Sequence, residues 1–483
     1  MVKLTFFGGV NEVGGNKFLL EDKKTRIFLD FGLSFNKFGE YFAEFIQPRS
    51  GSGVGDYLEL GLIPKIKGIY RRDYLRPIGI KSEEKSVDAI LISHAHFDHM
   101  GLLDVIRNDI EVRCSVESKK IMEIFDQTVS GEFLKQTPKF KFYVNANGEM
   151  SRWTKKQGQE DRNLKIFKPG KSFDIGDLTI TPFQVDHSLP GAIGYVIETS
   201  DKTVVYTGDL RFHGRYPEYS NYFIERASKF EPDVMLCEGT RVEECKNNTE
   251  EWVEKTAKDI IRNCKGLVIV NYPSRDISRI LTFFKIAEDT DRKLVVDFKQ
   301  ALLLKEFGRM GYLPELNNVM VYAQPKAWFL INDEDAPERQ VPIDYETWER
   351  DFLELDNLVK TKDIKENQKD YVFFCSNFSV GNMIDIKPVR GSIYIRSMCE
   401  PLDDESAIDE DRINKWYDHF EINDKRRHQI HCSGHACQVD LKRMIEEVKP
   451  KSLIPIHTEN AEMFKKFVKN VHLLKKVGES VEI

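Results

Sequence analysis

Four side chains of metal-ligating type fall within six residues of this chain, His94-Ala95-His96-Phe97-Asp98-His99, directly after the apolar run DAILIS. A lone histidine at a strand end is ordinarily a packing residue. Four ligand-type groups in so short a stretch have no packing explanation, because each would carry an unsatisfied polar group toward a core. Imidazoles and carboxylates together suit zinc, manganese or iron. A loop at a strand end can aim successive side chains at neighbouring ions, which the strict alternation of a regular strand cannot do. Three further candidates stand at the ends of β-rich runs: His187 after LTITPFQVD, Asp209 after TVVYTG and His457 after SLIPI. Periodicity alone does not bring them together.

The chain has 483 residues, well above the ~250–300 at which a single core stops growing, so two domains or one domain with a large insertion are expected. Apolar residues make up 41% and charged residues 31%, without long Pro, Ser or Gln tracts, which is the composition of a globular protein. The N-terminal MVKLTFFGGVNEVGG has no signal-peptide core, and no run approaches the ~18 apolar residues of a membrane span, so a cytoplasmic chain away from membranes is expected. Eight cysteines without a CxxC pair disfavour both a disulfide framework and a zinc ribbon. A net charge of −7 means that any nucleic-acid partner must be met by a local basic surface. Candidates are Lys135, Lys139 and Lys141; Lys165, Lys168 and Lys171; and Lys425, Arg426, Arg427 and His428.

Residues 2–30 alternate short β-rich runs with glycine turns and read as an antiparallel meander. Residues 34–86 are long and irregular; their GSGVG run lacks the Lys-Ser/Thr of a phosphate cradle and reads as a loop. Residues 249–307 alternate helix and strand, as an α/β unit with parallel strands does, whereas 308–370 are weakly patterned and acidic. Strands recur at YVFFC and SIYIR, and a helix surrounds Trp416. The chain closes on HCSGHA, a helix, SLIPIH and another helix.

In their order, Asp30, His94 to His99, His187, Asp209 and His457 resemble the motifs of the metallo-β-lactamase superfamily, and the resemblance spans nearly the whole chain. It implies an α/β fold, an αββα sandwich with metals at one edge. His94, His96 and His187 would hold one ion, Asp98, His99 and His457 the other, with Asp209 bridging. Asp30 would orient a ligand histidine from behind. The more than 200 residues between Asp209 and His457 resemble the β-CASP nucleases, in which a second domain interrupts the lactamase fold. The expected division is 1–212, an inserted 213–428, and a closing 429–483. Glu238 in MLCEGT, His435 in HCSGHA and His457 in PIHTE support that reading. The segments DFGLSF, HAHFDHMGLL, HSLPGAIGY, YTGDLRFHG and SMCEP resemble ribonuclease J and archaeal cleavage-factor nucleases. DNA-directed members usually have Val where His457 stands, so the histidine favours RNA.

The resemblance implies a dinuclear ribonuclease that hydrolyses single-stranded RNA to 5′-phosphate products, as a 5′–3′ exonuclease, an endonuclease or both. Two ions ~3.5–4 Å apart acidify water and offset charge on the phosphorus. Zinc leads as the metal and manganese also suits the ligands. Asp98 and Asp209 serve the metals, His435 polarised by Glu238 is the candidate general acid, and His431, Ser433 and Gly434 are candidates to grip the phosphate. Arg275, Arg279, Arg390 and Arg396 are further candidates for RNA phosphates. Two alternatives stay open: a thioester or cyclic-phosphate hydrolase of the same fold, and a non-catalytic RNA-binding subunit. The sequence leaves the oligomeric state open.

Overall fold

Strands Val2–Phe6, Phe18–Asp22 and Thr25–Leu29 pair antiparallel in order, as the meander predicts. This computed structural model describes residues 2–43, 45–129, 131–245, 248–400 and 404–483; Pro401, which ends the SMCEP segment, lies outside them. Thr25–Leu29 continues in parallel to Ala89–Leu91, from the DAILIS run, and then to Glu111–Cys114. Leu164–Ile166 and Glu479–Glu482 form the edges of this seven-stranded sheet, the latter paired with Val2–Phe6. A second sheet of six strands runs Phe173–Ile175, Leu178–Gln184, Ile193–Glu198, Thr203–Tyr206, Val234–Glu238 and Ser452–Ile456.

Alternate residues of the two sheets, among them Leu4, Phe6, Phe18 and Leu20 against Ile180, Ile193, Tyr195 and Leu236, form one core. That is the period-two pattern of sheets packed face to face. The opposite residues of the second sheet, Phe183, Val196, Val205 and Met235, pack with Phe223 and Ile224 of helix Pro217–Ser228 and with Leu441 and Met444 of helix Gln438–Val448. Helix Val116–Thr128 buries Ile121, Met122, Ile124 and Phe125. The αββα sandwich is therefore present.

The chain divides into two compact units. The first is Met1–Phe212, Tyr216–Lys246 and Gly434–Ile483; the second is His213–Arg215 and Asn247–Ser433. The expected inserted segment, 213–428, is thus corrected at both ends. Helix Pro217–Ser228 and strand Val234–Glu238 belong to the sandwich, because Val234–Glu238 pairs in parallel with both Thr203–Tyr206 and Ser452–Ile456.

The second unit holds a seven-stranded parallel sheet, ordered Leu358–Val359, Met320–Tyr322, Lys293–Val296, Tyr371–Phe374, Val268–Asn271, Ile393–Arg396 and Arg427–Gln429. Helices Glu250–Arg262, Ile277–Asp289 and Phe298–Arg309 follow the expected rhythm. Each opens on a capping side chain, Thr249, Asp276 or Asp297, that accepts a backbone N–H. Val268–Asn271 and Lys293–Val296 are not neighbours, since Tyr371–Phe374 lies between them.

Residues 34–86 carry the short helices Phe35–Gly39, Gly55–Glu59 and Arg72–Leu75, with the GSGVG run leading into the second. The helix expected after SLIPIH is a 3-10 turn, Ala461–Lys466. Among the described residues no helix is long and apolar enough to cross a membrane.

Candidate metal centre

The histidine-rich motif is not wholly a loop. The one-turn helix Phe97–Met100 starts inside it, so Asp98 and His99 lie on helical backbone while His94 and His96 precede it. Backbone bonds pin that turn: Asn16 N–H donates to the Asp98 carbonyl at 2.9 Å, Phe31 to His99 at 2.7 Å and Leu33 to Phe97 at 2.9 Å. Two glycines make the close approach possible. A Cβ on Gly14, at φ +82°, would stand 2.9 Å from the Asp98 carboxylate, and one on Gly32 would overlap the Asp98 carbonyl.

Strand ends bring the remaining ligand types to this turn. His94 Nε2 and His187 Nε2 lie 2.8 and 3.2 Å from His96 Nδ1. His457 Nε2 lies 3.1 Å from Asp98 Oδ2, and His99 Nε2 lies 3.6 Å from it. Asp209 Oδ2 stands between the two sets, 3.7 Å from His94, 4.0 Å from His187, 3.0 Å from His99 and 3.6 Å from His457. Ligands held at 2.0–2.2 Å around a tetrahedral ion are themselves ~3.4 Å apart, so the spacings match coordination. His94, His96 and His187 form one group able to hold an ion, and Asp98, His99, Asp209 and His457 another.

The electrostatics agree. Burial, reinforced by neighbouring imidazoles, pushes His94 and His187 well below the ordinary histidine range. Burial likewise takes His96 down to about 4. All three rings are therefore neutral at pH 7, as ligands must be. Burial opposes charge on His99 too, yet Asp209, Asp98 and Asp30 outweigh it and pull that ring well above its usual value. The same concentration of carboxylates attracts a divalent cation. Asp209 Oδ1 and His99 Nε2 are buried without a hydrogen-bond partner, which a bound cation would supply. The residues present fit divalent metal ions.

A surrounding layer fixes the ligands. Asp30, at φ +57° just beyond its strand, accepts from Ser93 N–H and Ser93 Oγ at 2.7 Å each and from the Tyr206 hydroxyl. It takes His99 Nδ1–H at 2.7 Å, leaving Nε2 for a metal. His187 Nδ1–H donates to the Gly434 carbonyl at 2.6 Å. Thr240 was not singled out from the sequence, yet its hydroxyl lies 2.9 Å from His457 Nδ1 and 3.2 Å from His435 Nδ1. Ser93 and Tyr206 were missed as well. Their only signals are adjacency to the motif and a strand position beside TGD.

His435 precedes helix Gln438–Val448 and stands 3.4 Å from Glu238 and 4.0 Å from Asp209, with 19% of its side chain exposed. Burial lowers its affinity for a proton, but Glu238, Asp209 and Asp98 outweigh it and raise the ring to about 9. Buried Glu238 accepts from Thr240 N–H at 3.1 Å and Leu210 N–H at 3.4 Å.

His431 and Ser433 belong to the second unit and Gly434 to the first. The His431 carbonyl accepts from Asn248 and the Ser433 carbonyl from His213. Arg279 is corrected as a phosphate contact: it is fully buried and bound to Glu250 and Ser397. Arg275 is half-buried, Arg396 meets Glu410, and Arg390 is exposed.

Comparison with known proteins adds the family. Residues 67–265 match a model described as a β-lactamase superfamily domain, and residues 421–473 one described as a Zn-dependent metallo-hydrolase RNA specificity domain. Ribonuclease J of Mycoplasma pneumoniae is 22% identical over 97% of this chain and 69% of its own length. Ribonuclease J of Corynebacterium glutamicum is 21% identical, over 95% of this chain and 54% of its own. For Helicobacter pylori ribonuclease J the figures are 22%, 95% and 56%. The chain thus spans little more than half the length of two of these relatives. A crystal structure of a protein of unknown function from Enterococcus faecalis superposes with a TM-score of 0.71, at 22% identity, over 99% of both chains. Residues 67–265 therefore carry a β-lactamase superfamily domain and residues 421–473 an RNA specificity domain of Zn-dependent metallo-hydrolases, and along most of its length the chain is similar to ribonuclease J.

Proposed function

We propose that this protein is a dinuclear metal-dependent ribonuclease that hydrolyses phosphodiester bonds of single-stranded RNA to 5′-phosphate products, as a 5′–3′ exonuclease, an endonuclease or both. The observation that carries the reading is the position of Asp209 Oδ2 within 4.0 Å of His94, His187, His99 and His457, with the His435–Glu238 pair beside it.

In this reading His94, His96 and His187 would hold one ion and Asp98, His99 and His457 the other, with Asp209 beside both groups. Zinc suits the set, and manganese is the alternative. When bound, such ions supply positive charge against the phosphate and acidify water at neutral pH. Asp30, Thr240 and the Gly434 carbonyl keep the histidine rings in their ligating tautomers. The water oxygen gives up a proton to solvent and bonds to phosphorus as the bond from phosphorus to the 3′-oxygen breaks. His435, kept protonated by Glu238, gives its proton to that leaving oxygen, a contribution worth roughly 10²–10⁴-fold. The Gly434 N–H, in the same unit as the metal-ligating residues, holds the phosphate during the exchange.

The test is end-labelled RNA with metal-reconstituted protein, in Mn²⁺ and in Zn²⁺, against a chelated control. Metal-dependent release of 5′-phosphorylated mononucleotides or internal fragments is expected. Inert RNA alongside hydrolysis of a thioester or cyclic nucleotide overturns the proposal, and equal cutting of single-stranded DNA removes the RNA preference.

A further inference from the structure

A large cavity in the first unit is lined by none of the residues of the metal centre. It measures about 1290 Å³ and is built from segments 71–82, 107–109 and 136–160, most of which the ribonuclease reading leaves unused. That volume exceeds the ~300–1,000 Å³ typical of small-molecule sites and has room for a stretch of polymer.

Its frame is rigid. Buried Arg71 binds Asp73 at 2.7 Å, Glu132 at 3.1 Å and the Thr137 carbonyl at 2.6 Å, so one guanidinium ties both segments together. Arg71 also donates to the Asp104 carbonyl at 3.3 Å, which anchors the frame to the chain following the metal motif.

The charges on this frame are unequal. Of the acids lining the cavity, Asp73 is held by Arg71, Asp109 by Arg107, and Glu160 accepts from Asn108 at 2.8 Å. Against them Arg72, Arg76 and Lys81 line the cavity with no ion pair or side-chain hydrogen bond among the described residues. Lys141 is likewise without an acid and rests over the Trp153 ring at 3.7 Å. In a chain of net charge −7 this is a local excess of uncommitted cations.

Aromatic rings accompany them. Phe140 and Phe142 line the cavity, Phe142 being 54% exposed, and Arg152 lies over Phe140 at 5.2 Å. Cations that track a backbone, beside rings on which bases stack, are the combination that binds single-stranded nucleic acid.

We infer that this cavity is a second RNA-binding site, separate from the metal centre, in which Arg72, Arg76, Lys81 and Lys141 meet phosphates and Phe142 stacks a base. The choice of RNA among polyanions rests on the ribonuclease reading. The site holds a distal part of a long strand, so it acts on affinity and leaves chemistry alone.

Binding is measured by anisotropy of a fluorescein-labelled 30-mer oligouridylate on metal-free protein in chelator, where cleavage plays no part. The Arg76→Glu/Lys81→Glu double variant, both positions being exposed, is expected to bind at least ten-fold more weakly. It should also flatten the slope of log Kd against log salt by about 1.4, the value for two lost phosphate contacts on a single strand. Phe142→Ala should weaken the oligouridylate but not inorganic polyphosphate of equal charge. A 4-thiouridine-labelled strand should cross-link to peptides spanning 136–153. Unchanged affinity in a double variant with wild-type circular dichroism overturns the inference. So does loss of polyphosphate and RNA binding in equal measure on Phe142→Ala. Failure of the ribonuclease reading is seen separately, as absence of cleavage by the metal-loaded wild type.

Discussion

Both units bury charged side chains, to opposite ends. In the second, Arg279 meets Glu250 at 3.1 Å and Ser397, and the Thr282 hydroxyl donates to the other Glu250 oxygen at 3.4 Å. One guanidinium and one carboxylate offset each other there. In the first, His94 Nε2, His96 Nδ1 and His187 Nε2 converge as neutral acceptors, while Asp209 Oδ1 and His99 Nε2 have no hydrogen-bond partner. A polar cluster closed on itself specifies packing, and one left with surplus lone pairs and negative charge is completed by a cation.

The harshest way to break that contrast is Asp209→Ala. Elemental analysis should show loss of bound metal, and cleavage should fall by at least ~10³-fold, the equivalent of several kcal/mol of transition-state charge stabilisation. Full metal content with intact activity would remove Asp209 from its bridging place. His435→Ala comes next, with a loss of roughly 10²–10⁴-fold while both metals and RNA affinity stay. A substrate with sulfur at the bridging 3′ position leaves without a proton and should restore the mutant toward the wild-type rate. If metal is lost instead, His435 is a ligand, as its closeness to His187 and Asp209 would permit.

Arg279→Met attacks the closed cluster. It leaves Glu250 buried without its partner, at a cost of ~3–5 kcal/mol, read as earlier hydrogen exchange across residues 250–433, with metal content untouched. Asp30→Asn sharpens the open cluster: losing the carboxylate behind His99 should weaken metal affinity by ~10–100-fold, measured by competition with a chelating dye.

The gentlest probe is pH. Burial disfavours the His435 proton, but Glu238, Asp209 and Asp98 raise the ring to about 9, so the acid form exists below that value and is lost as pH rises through it. kcat should therefore fall about ten-fold per pH unit on an alkaline limb with its midpoint at or below 9, since bound cations offset Asp209 and Asp98. A limb unchanged in His435→Ala assigns the titration elsewhere.

The cluster His94 to His99 was legible because four ligand-type side chains in six residues have no packing explanation, whereas the place of Asp209 and His457 beside it came from the resemblance and not from residue type. The groups behind them were not. Thr240, Ser93 and Tyr206 are common hydroxyl residues whose value lies in what they touch, and no spacing encodes that. The boundary of the inserted unit failed for another reason. Residues 217–238 read as helix then strand, as do 250–271, and only the parallel pairing of Val234–Glu238 with Thr203–Tyr206 and Ser452–Ile456 assigns the former to the sandwich. The short helices in 34–86 carry too few turns to show a period.

The ligands also arrive in a fixed order in time. About 250 residues separate Asp209 from His457, and at ~5–20 residues per second a ribosome needs roughly 12–50 s to cross them. Through that interval the nascent chain holds the first histidine trio and Asp98, His99 and Asp209, but neither His435 nor His457. Strand Ser452–Ile456, which carries His457 to its place, is also still missing from the sheet. On the proposed reading, the emerging polypeptide is therefore catalytically incomplete while it is still attached to its own message.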